Sequence, residues 1–477
     1  MRNTVIPIQV VPSAVPANAS MATPGALERL GLAMRRHRGA IQAIQWTVVG
    51  LYLALLIIPA FMPVPPQDAS ILTNLRLFAQ FLFWGVWWPG VMVSTLLLGR
   101  VWCGVFCPEG TLTEFASRHG LGRPIARWLR WGGWPFVAFV CTTVYGQLVS
   151  VYEYPQAALL VLGGSSVAAV AIGWVYGRGS RVWCRYLCPA NGVFRLLARI
   201  APLHFRVDEA RWQQALQQGG PRHHAVNCAP LINIRHMQSA SACHACGRCA
   251  GENDAVALSL RAPTQEILAD QAPASTGDAL TLLFGVIGVA TAAFSWSVSR
   301  QFVHLKGLAA EWLIDHDHMA LLQDNAPWWL LTHYPEVQDV FTWLDGLCIL
   351  LWILVGGLAL GALVGTPLLL AARVLRQRDR PWQRLADALI PIAGVSVVLG
   401  LSMLTLTHLK AEGVPLTWVP AARMALLALG AGFSGYTAWC LVGVMTASAW
   451  RVAAARLLMG CAIAAQVLVW VAILFGR

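Results

Sequence analysis

Cysteine carries most of the chemistry available to this sequence. Twelve occur among its 477 residues, and three share one run, Cys243-His244-Ala245-Cys246-Gly247-Arg248-Cys249. With that C-x-x-C-x-x-C spacing, bacterial ferredoxins hold three irons of a [4Fe–4S] cluster, and the fourth ligand comes from the other motif of a pair. Gly247 permits the turn that points successive thiolates at one centre, and amides in that turn can bond to the sulfides. Soft thiolates favour iron–sulfur or zinc over hard ions. Four residues after Cys249, where the motif's last cysteine would fall, stands Asn253. Upstream, Cys228 takes the last place of a first motif whose other places hold His224, Pro221 and Gln218. Because the fourth cysteine of each motif serves the opposite cluster, Cys228, Cys243, Cys246 and Cys249 form the complete ligand set of one cluster. The competing readings are a structural zinc site, which ordinarily shows two separated C-x-x-C pairs, and a remnant that binds nothing.

A second constellation is a repeat. Arg100-Val101-Trp102-Cys103-Gly104-Val105-Phe106-Cys107-Pro108 recurs as Arg181-Val182-Trp183-Cys184-Arg185-Tyr186-Leu187-Cys188-Pro189, displaced by 81 residues. Helical positions i and i+4 share a face, and a proline after the second cysteine favours a turn or a helix's first residue. Cys103, Cys107, Cys184 and Cys188 therefore suit one shared centre, either a second cluster or another redox metal. A structural metal, transient thiol chemistry and plain packing stay open. Cys141, Cys348, Cys440 and Cys461 stand singly in apolar runs and read as buried packing.

The elements that position these cysteines follow from composition. Hydrophobic residues make up 57% and charged residues 12%, which excludes an ordinary soluble globule. Nine apolar runs reach the roughly 20 residues that a helix needs to cross hydrocarbon: about 41–62, 76–98, 131–151, 157–176, 278–298, 346–371, 386–408, 421–446 and 453–475. Their length and lack of alternation predict helices rather than membrane strands. The fold class expected is an all-α polytopic membrane protein with a small ferredoxin-like insert on its cytoplasmic side.

Charge gives the orientation. Arg35, Arg36 and Arg38 precede the first run, and no apolar signal segment precedes them, so the N-terminus is expected inside. Segments then inside (1–40, 100–130, 177–275, 373–385, 447–456) hold 28 of the 34 Lys and Arg residues, as cytoplasmic loops do. This places the C-terminus outside and explains the net charge of +12 without a nucleic-acid partner; the membrane lipid is partner enough. Eight of the twelve cysteines fall in these inside segments, where thiols stay reduced. Four parts emerge: a mobile tail (1–40), a four-helix block with the repeated motif (41–202), the insert (203–275), and a five-helix block (276–477) with an outside loop at 299–345. Each repeat copy follows a helix hairpin, so a pseudo-symmetric pair is expected, with its motifs meeting at the inner surface.

In the outside loop, His316, Asp317 and His318, with His333 further on, are a candidate metal site for a periplasmic partner, although polar surface is the commoner outcome. Trp312, Trp328, Trp329 and Trp343 suit amphipathic helices at the interface. Only His304 and His408 lie near span ends, a poor basis for b-type haem. Centres at the inner surface stand about 30 Å of hydrocarbon from the outer face, too far for one electron hop. A quinone, a haem or another metal must intervene if electrons cross, and the sequence does not locate it.

The repeated R-V-W-C-x-x-x-C-P, the ferredoxin insert and the surrounding helices resemble the membrane-bound polyferredoxins over about residues 40–260. That family includes relatives associated with periplasmic nitrate reductase, nitrous-oxide reductase maturation, cytochrome oxidase assembly and Ftr-type iron uptake, and the layout looks most similar to the last. The resemblance implies a bacterial inner-membrane electron carrier. It marks Cys103, Cys107, Cys184 and Cys188 as the membrane motif pair and Cys228, Cys243, Cys246 and Cys249 as cluster ligands. It further implies a periplasmic redox or metal-handling partner, among them an iron permease. The family usually has two ferredoxin clusters where this insert supports one, and the five C-terminal helices lie outside the shared pattern. Three other functions compete: a metal-binding assembly scaffold for a metalloenzyme that delivers or senses copper or iron, an electron donor or acceptor of a periplasmic reductase, and a transporter through the C-terminal helices. The transporter suffers from the scarcity of ionisable groups there, Asp387 and His408 being the main ones.

Overall fold

The computed structural model describes residues 25–66, 69–217, 226–269, 275–376, 380–446 and 448–476. Most of the expected tail (1–24) and the vacated motif positions Gln218, Pro221 and His224 lie outside the described residues.

A backbone removed from water must satisfy its own N–H and C=O groups, and a helix does so within one segment. Among the described residues, eight helices are long and apolar enough to cross a membrane: Arg38–Ala60, Leu75–Leu98, Pro155–Val175, Thr276–Val298, Trp343–Leu375, Ile390–Ala411, Val419–Met445 and Ala449–Phe475. The chain is a nearly all-α, multi-pass membrane protein. The ninth expected run is shorter as a helix than expected: 131–151 yields 15 helical residues, Trp134–Leu148, about 22 Å long, which still join the two ends of the bundle, from Pro135 beside Gly192 to Leu148, whose carbonyl accepts from the Thr332 N–H at 2.8 Å. Pro135 sets its start, since proline suits a first turn. At its far end Val151 N–H donates to the Gly146 carbonyl at 2.9 Å, closing a wide turn that stops the helix.

Helices Thr276–Val298 and Trp343–Leu375 meet backbone to backbone, because a Cβ on Gly288 would lie 2.3 Å from the Gly357 carbonyl oxygen. Small residues at such crossings let membrane helices approach closely. Three spans carry a π-helical stretch, at Phe81–Trp87, Leu159–Gly163 and Thr281–Ala290. Two of the four lone cysteines correct their expected burial: Cys141 and Cys461 are exposed on helix surfaces, where a small apolar thiol suits lipid as well as it suits a core.

The repeat motifs and the insert gather at one end of the bundle, and the 299–342 segment covers the other. There Arg300–Asp315 folds as a helix with Val303, Leu308 and Trp312 exposed, the amphipathic surface helix expected of that loop. In the insert, Leu203–Val207 pairs antiparallel with Val256–Leu260, and Phe205, Ala245, Ala250, Val256 and Leu258 form its core. Residues 26–36 are helical rather than tail: Ala26–Arg36 lies on this sheet, and Arg35 donates to the Ala250 carbonyl at 2.8 Å and pairs with Glu252 at 3.2 Å.

Buried ion pairs tie the insert to the C-terminal helices. Arg199, 1% exposed, reaches Asp387 at 2.6 Å and Glu266 at 3.4 Å. Glu266 also accepts from the Ala240 N–H at 3.1 Å and pairs with Arg261. Removing one partner of a buried pair strands the other charge, at about 3–5 kcal/mol. Arg199→Met is therefore expected to destabilise the fold by about that much, which a shortened half-life of the detergent-solubilised protein on heating would report.

Candidate iron–sulfur centres

Each repeat copy ends a membrane helix and bends the chain. After Leu98 the backbone reverses at Gly99, makes the wide turn Trp102–Phe106, and becomes extended at Cys107 (φ −70, ψ 117). Cys107 then caps helix Pro108–His119, whose first residue is Pro108. Its Sγ accepts the Gly110 N–H at 3.4 Å, so the thiol occupies the positive end of a helix, where negative charge is favoured. The second copy repeats the plan with a short helix Val182–Tyr186, a turn through Pro189, and helix Asn191–Leu197. The expected turn or helix start at each proline is present in both copies.

The copies bring their cysteines together. Cys103 and Cys184 are buried, and Cys107 and Cys188 partly so. Burial pushes the Cys107 thiol up to about 12, with repulsion from Cys103 adding to it. Burial likewise holds Cys184 and Cys188 well above the usual thiol range, aided by Cys107 and, for Cys188, by Glu109.

The insert forms a second quartet. Cys228, Cys243, Cys246 and Cys249 line one cavity together with Phe205 and Pro230. Gly247, at φ +73, turns the chain between the second and third cysteines of the run, and the Ala245 N–H donates to Cys243 Sγ at 3.4 Å. Burial raises the thiols of Cys228, Cys243 (to about 12) and Cys249.

The two quartets touch. A Cβ on Gly104 would lie 2.1 Å from the His244 carbonyl oxygen and 2.9 Å from the Cys246 nitrogen, so the first repeat copy rests backbone to backbone on the ferredoxin run. Around this contact stand buried arginines. Arg100, 3% exposed, donates to the Ser241 carbonyl at 2.9 Å and approaches Cys103 Sγ at 3.7 Å. Arg181, 1% exposed, donates Nε–H to Glu114 at 2.9 Å and another N–H to the Cys103 carbonyl. Glu114 also pairs with Arg248, between Cys246 and Cys249, at 2.6 Å and with Arg118. Burial pushes the Glu114 carboxyl up, but Arg181 and Arg248 overcome it and hold the group below its usual range. One carboxylate thus joins both repeat copies to the insert.

These residues fit [4Fe–4S] clusters. The donors are all thiols, four to a set, and burial raises the proton affinity of Cys107, Cys184, Cys188, Cys228, Cys243 and Cys249, so that bare thiolates there call for a cationic core. Arg181 Nη2 is buried with no partner among the described residues, a donor left over beside sulfur-rich surroundings. Among the described residues, no three His, Cys, Asp or Glu side chains gather closely enough for a single metal ion. Zinc needs its sulfurs about 2.3 Å from one point, whereas a cluster takes one thiolate on each of four irons and spreads its ligands round a larger core.

Because thiols must become thiolates to bind metal, and burial raises most of these above their usual range, assembly is expected to release about four protons per cluster from the cysteines at pH 8, in addition to those given up by the hydrosulfide that supplies the inorganic sulfur. Higher pH favours assembly and acid favours loss. Proton uptake or release during anaerobic reconstitution in weak buffer measures it.

The outer histidines do not form such a set. His316 Nδ1 lies 2.8 Å from the Trp312 carbonyl, and its ring stacks on Trp312 with centroids 4.4 Å apart. His318 flanks the same indole at 5.9 Å, Asp317 sits in the turn between them at φ +58, and His333 is in a strand paired with Val340.

The 4Fe–4S binding domain family matches the chain over residues 80–131 and 160–207. No curated protein and no solved structure matches it. The matched stretches contain both repeat copies, with Cys103, Cys107, Cys184 and Cys188, and end short of the insert's cysteines. The chain is an iron–sulfur protein with a [4Fe–4S] cofactor, and its recognised signature lies in the motif pair whose spacing alone leaves the metal unnamed. Sequence reading missed Arg100, Arg181, Glu114 and Arg248 as supports. The first two carried a signal, since arginine opens both repeat copies. Gly104 did too, because the equivalent position of the other copy is Arg185, and a side chain of that size could not lie against the insert's backbone as Gly104 does.

Proposed function

We propose that this chain is an electron conduit of the bacterial inner membrane, with two [4Fe–4S] clusters side by side on its cytoplasmic face. Cys103, Cys107, Cys184 and Cys188 hold one, and Cys228, Cys243, Cys246 and Cys249 hold the other. The observation that carries this reading is the contact at Gly104, which puts the backbones of the two cysteine sets against each other. A [4Fe–4S] cluster supplies one-electron transfer without bond making. The protein's own work is to hold the thiolates, exclude water and set charge: Arg100 and Arg181 stabilise added negative charge, and Glu114 fixes Arg181 and Arg248. The arginine distribution supports a cytoplasmic cysteine face and a periplasmic C-terminus.

The resemblance to Ftr-type polyferredoxins supports a periplasmic metal-handling partner, with iron as its cargo. In a sealed proteoliposome, dithionite-reduced protein is expected to regain its visible absorbance when ferric or cupric salt and that partner are added outside. Unchanged absorbance with both metals would remove the metal-handling partner from the proposal.

A further inference from the structure

Between the cysteine face and the opposite end, the bundle is not solid. An apolar chamber of about 150 Å³ lies between the repeat helices and the C-terminal block. Its floor is Pro189 and Ala190, the residues directly after Cys188, and its walls include Trp88, Phe139, Thr142 and Thr143. A larger space of about 410 Å³ continues from it toward the opposite face, with Gln147, Ser150, Glu153 and Asp339 at its polar edge. The two share Trp84, Tyr152, Ala293, Phe294 and Leu401 as walls. The π-helical stretches of all three spans that carry one contribute to the chamber: Trp84 from the first, Val161 and Leu162 from the second, and Ala290 from the third. Such stretches widen a helix and recur at functional sites. No histidine lines either space, which leaves nothing there to ligate haem.

We infer that this chamber binds the ring of a lipid-soluble quinone, the carrier that the membrane's thickness demands between the cysteine face and the other side. The inference rests on the proposed clusters. Flat aromatic walls suit a planar ring, threonine hydroxyls suit its oxygens, and the polar vestibule gives water and carboxylates to its protons. A benzoquinol held there becomes the quinone by releasing two electrons and two protons. The two cysteine sets would hold the one-electron centres that take up those electrons, and Glu153 and vestibule water accept the protons.

The test is photolabelling of the intact cluster-loaded protein with a short-tailed azido-benzoquinone. Label is expected on peptides containing Trp84–Trp88 and Ala290–Phe294, suppressed by excess unlabelled benzoquinone, and lost in Ala293→Trp, which fills the shared wall. Thr143→Trp, on a half-buried wall, serves if Ala293→Trp fails to fold. Iron content and reduction by dithionite should be unchanged in either variant. Label confined to lipid-facing helices, label competed by phospholipid but not by benzoquinone, or label undiminished in a folded variant overturns the inference. Protein without clusters defeats the proposed function instead, and intact clusters without competed label defeat only the chamber.

Discussion

Glu114→Ala is expected to release the insert from the membrane block and to cost about 3–5 kcal/mol, the range for removing one partner of a buried ion pair. Glu114 is 4% exposed and Arg181 is 1% exposed, so the substitution leaves a guanidinium in low dielectric without its anion. Arg248 loses its carboxylate as well, at 2.6 Å, and with it the clamp between Cys246 and Cys249. Arg118, 42% exposed, contributes little because water screens it. Glu114→Gln keeps an acceptor for Arg181 while removing the charge, so it should fall between wild type and alanine. Thermal bleaching of the clusters in detergent measures the order. An alanine variant as durable as wild type would show that Glu114 is not the joint between the three cysteine motifs.

The second large effect is selective loss of one centre. With Cys103 and Cys184 replaced by serine, the membrane set keeps two of its four thiols, and about four iron and four acid-labile sulfide per chain should remain. With Cys243 and Cys246 replaced, the same number should remain but at the other set. The two products are expected to differ in reduction potential, since hydrogen bonding, charge and solvent exposure set it, and only one set has Arg100 against a ligand sulfur. If the first pair of substitutions leaves iron and sulfide at the wild-type level, the membrane motifs hold no cluster. If labile metal is lost while the number of clusters stays the same, the scaffold reading gains.

Most of the architecture was legible because membrane helices obey a length rule that composition alone satisfies. Where the rule overstated a length, at Trp134–Leu148, the cause was local: a proline start and a wide turn at Gly146 shortened the helix, which still joins the two ends of the bundle. The insert's four cysteines were legible as one set because ferredoxin spacing constrains which cysteine serves which cluster, and they do line one cavity. What spacing could not supply was the relation between the sets. Gly104 and His244 are distant in sequence, and their contact depends on how the insert folds back beneath the repeat. Glu114 looked like any polar residue of a surface helix, and only the fold shows three arginines round it. The histidines at 316 and 318 illustrate the reverse case, a suggestive sequence cluster that the fold lays against Trp312.

The most direct measurement is a count of iron and acid-labile sulfide in anaerobically purified protein, joined to EPR of the dithionite-reduced sample. Two clusters in contact predict about eight of each per chain and a spectrum broadened by interaction between neighbouring spins. About four of each with one uncoupled signal contradicts the paired arrangement, and colourless protein free of sulfide contradicts it altogether.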